Sequence, residues 1–147
     1  MSKFAQLGLS SQLTKAVEKG GYESPTPIQE KVIPLMLQGG DIVAIAQTGT
    51  GKTAAFVLPI LERLKGNQHK AKPKHCSTLI IVPTRELAKQ IDDNIEKYGK
   101  HIYHQRACVV GGMKYPKQIQ RLNQGLDILV ATPGRLEDHL KSGNLSL

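Results

Sequence analysis

AQTGTGKT, residues 46–53, is the stretch of sequence that decides the fold. It follows DIVAIA (41–46), an apolar run that predicts a strand, and it leads into residues with a helical pattern. The stretch fits the phosphate-binding loop pattern G-x-x-x-x-G-K-[ST], except that Ala46 stands at the first glycine position. Gly49 and Gly51 permit a backbone that points several N–H groups inward, and the positive end of the following helix completes a nest for phosphates.

The same loop carries the side chains that phosphate chemistry requires. Lys52 supplies a positive charge for the phosphates, and Thr53 supplies a hydroxyl ligand for Mg²⁺, so we expect these two residues to be the catalytic ones. The residues expected to contact the nucleotide are Gln47, Thr48, Gly49, Thr50, Gly51, Lys52 and Thr53. The alternative, a glycine-rich turn that binds nothing, is weakened by the strand-loop-helix context.

Composition and charge narrow the class of protein. The 147 residues and 39% hydrophobic content suit one ordinary domain with a single core. Twenty Lys and Arg against twelve Asp and Glu give a net charge of +8, which favours a polyanionic partner such as nucleic acid. With neither a signal peptide nor an apolar run of membrane-spanning length, we expect a cytoplasmic protein without membrane contact.

The cysteines and histidines show no metal-ligand spacing. Two cysteines, Cys76 and Cys108, are too few for a disulfide framework, so we expect reduced and buried thiols. The histidines are expected to be surface or linker residues: His69, His75, His101, His104 and His139.

Beyond two predicted helices that end at Gly20-Gly21 and Gly39-Gly40, strand-like runs alternate with helical segments. The runs are DIVAIA (41–46), TLIIV (78–82), ACVV (107–110) and DILVA (127–131). Their nearly uniform apolar character and the alternation predict an α/β fold, with a parallel sheet flanked by helices. Three runs lead through QTGTGKT, PTRELA and TPGRLED into helix starts, so we expect these turns at the carboxyl edge of the sheet, where open α/β folds bind ligands.

GNQHKAKPKH, residues 66–75, is rich in Lys, His, Gly and Pro, which predicts an exposed, mobile basic loop within the domain. It serves either as a solvated connector or as a weak attractor of polyanions.

GYESPTPIQ, residues 21–29, fits a capping box, with Thr26 as N-cap, Pro27 at the first helical position and Gln29 reaching back to the cap. Taken alone, this structural interpretation is favoured over a ligand-binding one.

Six ordered motifs give the chain a family resemblance. They are Phe4, GYESPTPIQ (21–29), AQTGTGKT (46–53), PTRELA (83–88), Gly111-Gly112 and TPGR (132–135). In this order they closely resemble the first RecA-like domain of DEAD-box RNA helicases over nearly the whole chain, and their wording is most similar to the bacterial RhlE-like branch. The resemblance implies a RecA-like P-loop fold, with ATP and Mg²⁺ as cofactors and RNA as the partner.

The resemblance also implies how adenine is recognised. The family's Q motif assigns Gln29 to hydrogen bonds with the amino edge of the purine, and Phe4 or Tyr22 to stacking on its face. An amide offers a donor and an acceptor together, which matches adenine and mismatches guanine. The capping role is compatible with this contact, since a capped glutamine is already oriented.

The later motifs are implied to bind the RNA backbone. Their residues are Pro83, Thr84, Arg85, Gly111, Gly112, Thr132, Pro133, Gly134 and Arg135. Threonine hydroxyls, N–H groups at helix starts and arginines suit phosphate oxygens and do not read bases, so binding of single-stranded or duplex RNA should be sequence-independent and fall with salt. In the alternative interpretation, Thr84 and Thr132 are only N-caps and the arginines are only solvated.

The chain ends at SGNLSL and contains no Asp-Glu-Ala-Asp, which in the family lies a short way further on. We therefore expect residues 1–147 to be part of the first RecA-like domain, truncated before the DEAD-motif strand, of an ATP-dependent RNA helicase that remodels or locally unwinds RNA duplexes. The fragment alone is expected to lack ATPase and unwinding activity, because phosphoryl transfer needs a positioned metal, water and cationic stabilisation. Unpaired strand edges are expected to favour self-association.

Two other functions stay open. A P-loop enzyme of another class, such as a small-molecule kinase, would need an acceptor pocket and would leave PTRELA and TPGR unexplained. A non-catalytic RNA-binding module with a vestigial phosphate loop would not bind adenosine nucleotides.

Overall fold

The computed structural model describes residues 2–66 and 70–147. The chain divides into two units, Met1–Gly66 with Asn94–Tyr103 and Asn67–Asp93 with His104–Leu147.

The first unit is built from helices. Its elements are a 3-10 turn (Ala5–Leu7), α1 (Ser11–Lys19), α2 (Pro27–Gln38), α3 (Lys52–Lys65) and the last turn of α4 (Arg85–Tyr98). The two predicted glycine stops are confirmed, because Gly20 caps α1 and Gly39, at φ 91°, caps α2. Helix α2 packs against α3 and against the 3-10 turn. The fully buried side chains of this unit include Phe4, Leu13, Ile33, Leu58 and Leu61.

The predicted strand over 41–46 is wrong. Residues 41–47 have neither helical nor strand structure, and Val43 and Ile45 are 91% and 90% exposed. A strand exists only where a neighbour completes its hydrogen-bond ladder, and no strand within residues 2–66 or 70–147 pairs with this segment. The self-association expected from unpaired apolar edges stays a prediction.

The second unit holds a parallel three-stranded sheet in the order β1-β3-β2. Its elements are β1 (Cys76–Ile81), β2 (Arg106–Val109), α5 (Tyr115–Asn123), β3 (Leu126–Ala131) and α6 (Pro133–Lys141), with the first part of α4. The strands predicted over 78–82, 107–110 and 127–131 are thus confirmed to within two residues, as is the α/β class with a parallel sheet flanked by helices.

Strand β3 is the centre of this unit. Its residues 128–131 are all 0% exposed, and Leu129 lies between Leu79 of β1 and Ala107 of β2 in the sheet register. Leu122 of α5 and Leu136 of α6 belong to the same buried cluster. A strand paired on both sides and covered by helices explains why its last four residues, 128–131, are all apolar.

The predicted basic loop at 66–75 lies partly outside the described residues, since 67–69 are not described. Between 70 and 75 the chain is mostly exposed, as expected. Its backbone is nevertheless tied down, because Lys74 N–H donates to the Leu122 carbonyl at 2.9 Å and the Lys74 carbonyl accepts from Ser146 N–H at 2.8 Å. The mobility of the loop stays a prediction.

Within the described ranges, no helix combines the length and apolar character needed to cross a membrane. The cytoplasmic location stays a prediction.

Truncation of Leu129 tests the central position of β3. We expect Leu129→Ala to lower the free energy of unfolding by roughly 2–5 kcal/mol, because it leaves a cavity in the buried cluster that Leu129 forms with Leu122 and Leu136. The same change at Leu147, which is 71% exposed, is the control and should have little effect. Urea unfolding followed by circular dichroism measures both variants, and equal losses would contradict the assignment of the core.

Candidate functional site

The predicted phosphate loop lies before α3 and opens directly into it. Gly49 and Gly51 have φ values of 80° and 82°, a region that glycine enters without steric cost, and Gly51 is the N-cap of α3. Within the loop, Thr50 Oγ1 donates to the Gln47 carbonyl at 2.6 Å. Lys52 is therefore the first residue of a helix whose unpaired N–H groups and positive dipole end suit an anion.

The loop is accessible to a ligand. Gln47, Thr48 and Gly49 are exposed, and so is Lys52, whereas Thr53 is half-buried. The structure thus brings the predicted loop residues together on one turn and one helix start.

Gln29 lies behind the loop, fully buried. Its Oε1 accepts from Thr26 N–H at 3.1 Å, which confirms the capping-box interpretation, and its Nε2 donates to the Gly51 carbonyl at 3.2 Å. A side chain at Gly51 would overlap the Gln29 amide. One glutamine therefore fixes both the start of α2 and the last residue of the loop before α3.

The two predicted adenine-stacking residues differ in exposure. Phe4 is 0% exposed and belongs to the core, so its ring has no face free for a base in this structure. Tyr22 is half-buried and keeps part of its ring surface. The sequence could not separate these two aromatic residues, because neither spacing nor composition reports burial.

The RNA-directed motifs meet in the second unit. A groove of about 430 Å³ lies at the carboxyl ends of all three strands. It is lined by Pro83, Thr84, Arg85, Glu86, Gly111, Gly112, Thr132, Gly134 and Arg135. These include every predicted RNA-binding residue except Pro133, together with Glu86, which was not predicted as a site residue. The shared edge predicted for PTRELA and TPGRLED is confirmed, whereas the same prediction for the loop at 46–53, in the other unit, stays a prediction.

Arg85 is folded over the glycine doublet. Its Nη1 donates to the Gly111 carbonyl at 3.2 Å. Gly112 has a φ of 81°, and a Cβ there would overlap the same guanidinium. The doublet therefore leaves room for the arginine beside the loop after β2.

The two groove threonines do not play the same structural role. Thr84 Oγ1 accepts from Leu87 N–H at 3.2 Å, so the capping interpretation holds for this residue. Thr132 is the N-cap of α6, but its side chain makes no capping hydrogen bond.

Arg135 is held by contacts on several sides. Its Nη1 donates to Gln118 Oε1 at 3.3 Å and to the Met113 carbonyl at 3.4 Å. Its Nε lies 3.8 Å from Asp138 Oδ2, and the guanidinium carbon lies 5.2 Å from the centre of the Tyr115 ring. The alternative interpretation, in which Arg135 is only solvated, does not hold, since its side chain is 18% exposed.

His139 is not a surface residue, which corrects the sequence prediction. It is 0% exposed, its Nε2 lies 2.8 Å from Gln118 Oε1, and its ring stacks on Tyr115 with centroids 4.5 Å apart. Burial and the nearby Arg135 charge lower its pKa, against a smaller opposing effect of Asp138. The sequence shows that His139 lies one helical turn after Arg135 and so shares its face of α6, but it does not report that this face is buried.

Both cysteines are free and half-buried, rather than fully buried as expected. Burial raises the pKa of the Cys76 thiol, and burial together with the Asp92 carboxylate raises the pKa of Cys108 to about 11.

The lowered pKa of His139 predicts a loss of stability in mild acid. In the unfolded chain this histidine takes up a proton near its ordinary pKa of 6.5, whereas in the folded chain it takes up the proton only at lower pH. The free energy of unfolding therefore falls as the pH drops below 6.5. The slope from this group is at most about 1.4 kcal/mol per pH unit. Urea unfolding at about pH 7.5 and about pH 5.5 should show a smaller loss for His139→Gln, which does not titrate, than for the wild type. Equal losses would contradict the prediction.

Comparison with known proteins gives the chain a family. The model of the DEAD/DEAH box helicases matches residues 26–147. The DEAD-box ATP-dependent RNA helicase RhpA of Helicobacter pylori is 50% identical over 139 residues, which are 95% of this chain and 27% of that protein. The ATP-dependent RNA helicase DeaD of Haemophilus influenzae is 43% identical over 145 residues, covering 98% of this chain and 23% of that protein.

A solved structure supports the same relationship. The crystal structure of a DEAD box protein from Methanococcus jannaschii matches with a TM-score of 0.87 and 40% identity, covering 99% of this chain and 38% of that chain. The chain spans about a quarter of the length of the curated relatives that it matches. The more specific RhlE-like resemblance stays a prediction. The chain belongs to the DEAD/DEAH box helicase family.

Proposed function

We propose that this chain supplies the ATP-binding and RNA-backbone-binding surfaces of an ATP-dependent DEAD-box RNA helicase, as part of its first RecA-like domain. The observation that supports this most strongly is the groove at the carboxyl edge of the sheet, where three separate motifs converge. The relatives RhpA and DeaD, both named ATP-dependent RNA helicases, support the same assignment.

In the first unit, the loop residues 47–53 would hold the phosphates. The N–H groups at the start of α3 and the Lys52 charge stabilise phosphate oxygens, and the Thr53 hydroxyl is the proposed Mg²⁺ ligand. The described residues contain no group of three or more His, Cys, Asp or Glu able to hold a metal ion. This fits Mg²⁺, which is usually held by few protein groups together with substrate phosphates and water, and which would neutralise phosphate charge when bound.

Adenine recognition is proposed for Gln29 and Tyr22. The Gln29 amide uses one lone pair for Thr26 and one N–H for Gly51, which leaves one further acceptor position and one further N–H. Because the side chain is fully buried, contact with a base requires a small opening of the segment around it. Tyr22 is the better candidate for stacking, since Phe4 belongs to the core.

In the second unit, the groove would bind RNA through its backbone. The starts of α4 and α6 both lie at the groove, and the Thr132 hydroxyl and the guanidinium groups of Arg85 and Arg135 add donors. Donors of this kind bind phosphate oxygens and leave the base unread. The proposed ligand is therefore RNA, single-stranded or duplex, of any sequence.

Unwinding belongs to the proposed function of the longer enzyme, and the 147 residues alone are proposed to hold ATP without hydrolysing it. No Asp-Glu-Ala-Asp is present in this sequence. The loop residues 47–53 contain no carboxylate, and the groove lining contains a single one, Glu86, whereas phosphoryl transfer needs groups that position both metal and water.

A nucleotide titration tests the first unit. A fluorescent ADP analogue with Mg²⁺ should bind the chain and be displaced by ADP and not by GDP, because the Gln29 amide matches adenine. Lys52→Ala should abolish binding and leave the circular dichroism spectrum unchanged. Gln29→Ala should weaken the binding of ATP more than it weakens the binding of inorganic triphosphate. Absence of ADP binding would refute the proposed nucleotide site and favour an RNA-binding module with a vestigial loop, whereas displacement by both nucleotides would refute only the role of Gln29.

Salt dependence tests the second unit. Arg85→Ala should weaken the binding of a short oligouridine and reduce the slope of log affinity against log salt by roughly 0.7 for each phosphate that the variant no longer neutralises. The control is Lys141→Ala, which removes an exposed charge on α6 outside the groove. Fluorescence anisotropy over a salt series measures both. If the two variants behave alike, general charge attraction explains the binding and the groove does not.

A further inference from the structure

A cluster of polar side chains lies beside the groove of the second unit and outside every motif. Gln118 of α5 and His139 of α6 are 4% and 0% exposed. His139 Nε2 lies 2.8 Å from Gln118 Oε1, and Arg135 Nη1 donates to the same oxygen at 3.3 Å. One amide oxygen therefore joins a buried imidazole to an arginine that lines the groove.

The hydrogen bonds determine the orientation of these groups. Gln118 Nε2 donates to the Val110 carbonyl at 3.0 Å, so the amide oxygen is the end that faces α6. Because that oxygen only accepts, His139 must carry its proton on Nε2. Its Nδ1 is then an acceptor, and Asn144 Nδ2 lies 3.3 Å from it. Protonation of Nδ1 would set a donor against a donor.

Tyr115 makes a further contact with Arg135, through its aromatic ring. Its ring is nearly parallel to the His139 ring, with an interplanar angle of 3°, and the Arg135 guanidinium lies over the same tyrosine. The Tyr115 hydroxyl accepts from Asn144 Nδ2 at 3.1 Å. Arg135 is thus held by hydrogen bonds and by a cation–π contact, while it remains part of the groove lining.

We propose that Gln118 and His139 are positioning residues of the RNA groove, which hold the Arg135 guanidinium in place before RNA arrives. This inference rests on the proposed RNA-binding function and adds residues that no motif contains. An arginine fixed in advance loses less rotamer freedom when it meets a phosphate, so its hydrogen bonds contribute more to affinity.

The first test is a double-mutant cycle on RNA binding. Gln118→Leu removes the shared oxygen at similar volume and should weaken binding of a short oligouridine by roughly three- to tenfold, as Arg135→Ala should. The double variant should bind no more weakly than Arg135→Ala alone, because both changes remove the same contact. Gln120→Leu, the same change at an exposed position of α5, is the control. Independent effects that multiply in the double variant would overturn the proposal.

The second test needs no RNA. Nitrogen-15 NMR of the whole chain should show an ordered Arg135 Nε and a neutral His139 with its proton on Nε2. Gln118→Leu should increase the mobility of Arg135 Nε, and Gln120→Leu should not. If Arg135 Nε were as ordered in Gln118→Leu as in the wild type, the proposal would be overturned, whether or not the chain binds RNA. If the wild type does not bind RNA, the proposed function fails, and this result still decides whether Gln118 holds the arginine.

A pair of histidine variants covers the case in which Gln118→Leu does not fold. His139→Gln keeps an N–H donor for Gln118 and should preserve the order of Arg135 and the RNA affinity. His139→Leu removes that donor and should lose both. Equal behaviour of the two variants would overturn the positioning role, since only the hydrogen bond distinguishes them.

Discussion

The backbone hydrogen bonds that pair β3 with β1 on one side and with β2 on the other are the constraint on which the structure of the second unit depends. Because β1, β2 and β3 are all parallel, their carboxyl ends must lie at one edge. The segments that follow them, which begin at Val82, Val110 and Thr132, are therefore brought together by the sheet and not by any attraction among themselves. A groove with polar walls thus rests on a strand whose last four residues are wholly buried.

In the first unit, helices rather than strands hold the residues of the candidate site in place. The phosphate loop is shaped by two glycines with positive φ and by a glutamine from the neighbouring helix, whose amide lies against the Gly51 carbonyl. Sequence positions 22 residues apart are joined by this single bond. The capping box and the loop are consequently one structural unit, and a change at Gln29 affects the loop even where no base is bound.

Periodicity and turn chemistry predicted most of the fold, whereas the site was predicted only in part. The runs that became β1, β2 and β3 are rich in β-branched residues, and helix ends coincide with Gly20 and Gly39. The failure at 41–46 has a physical cause, since an apolar run reports a tendency to be buried and carries no information on which strand will pair with it. Within the site, motifs identified the groove lining and the loop but not Gln118 and His139, whose burial follows from how α5 and α6 pack. Phe4 shows the same limit, because an aromatic residue before a nucleotide motif is as suitable for a core as for a base.

The two thiols show how the surroundings of a cysteine can determine its reactivity. The thiolate is the species that attacks disulfides and alkylating reagents, and both cysteines have a raised pKa. Because the pKa of Cys108 is raised to about 11, its exchange with glutathione or modification by maleimide at neutral pH should be slower than that of an ordinary thiol. Surface cysteines introduced for spectroscopic labels should therefore react selectively, while Cys76 and Cys108 remain unmodified.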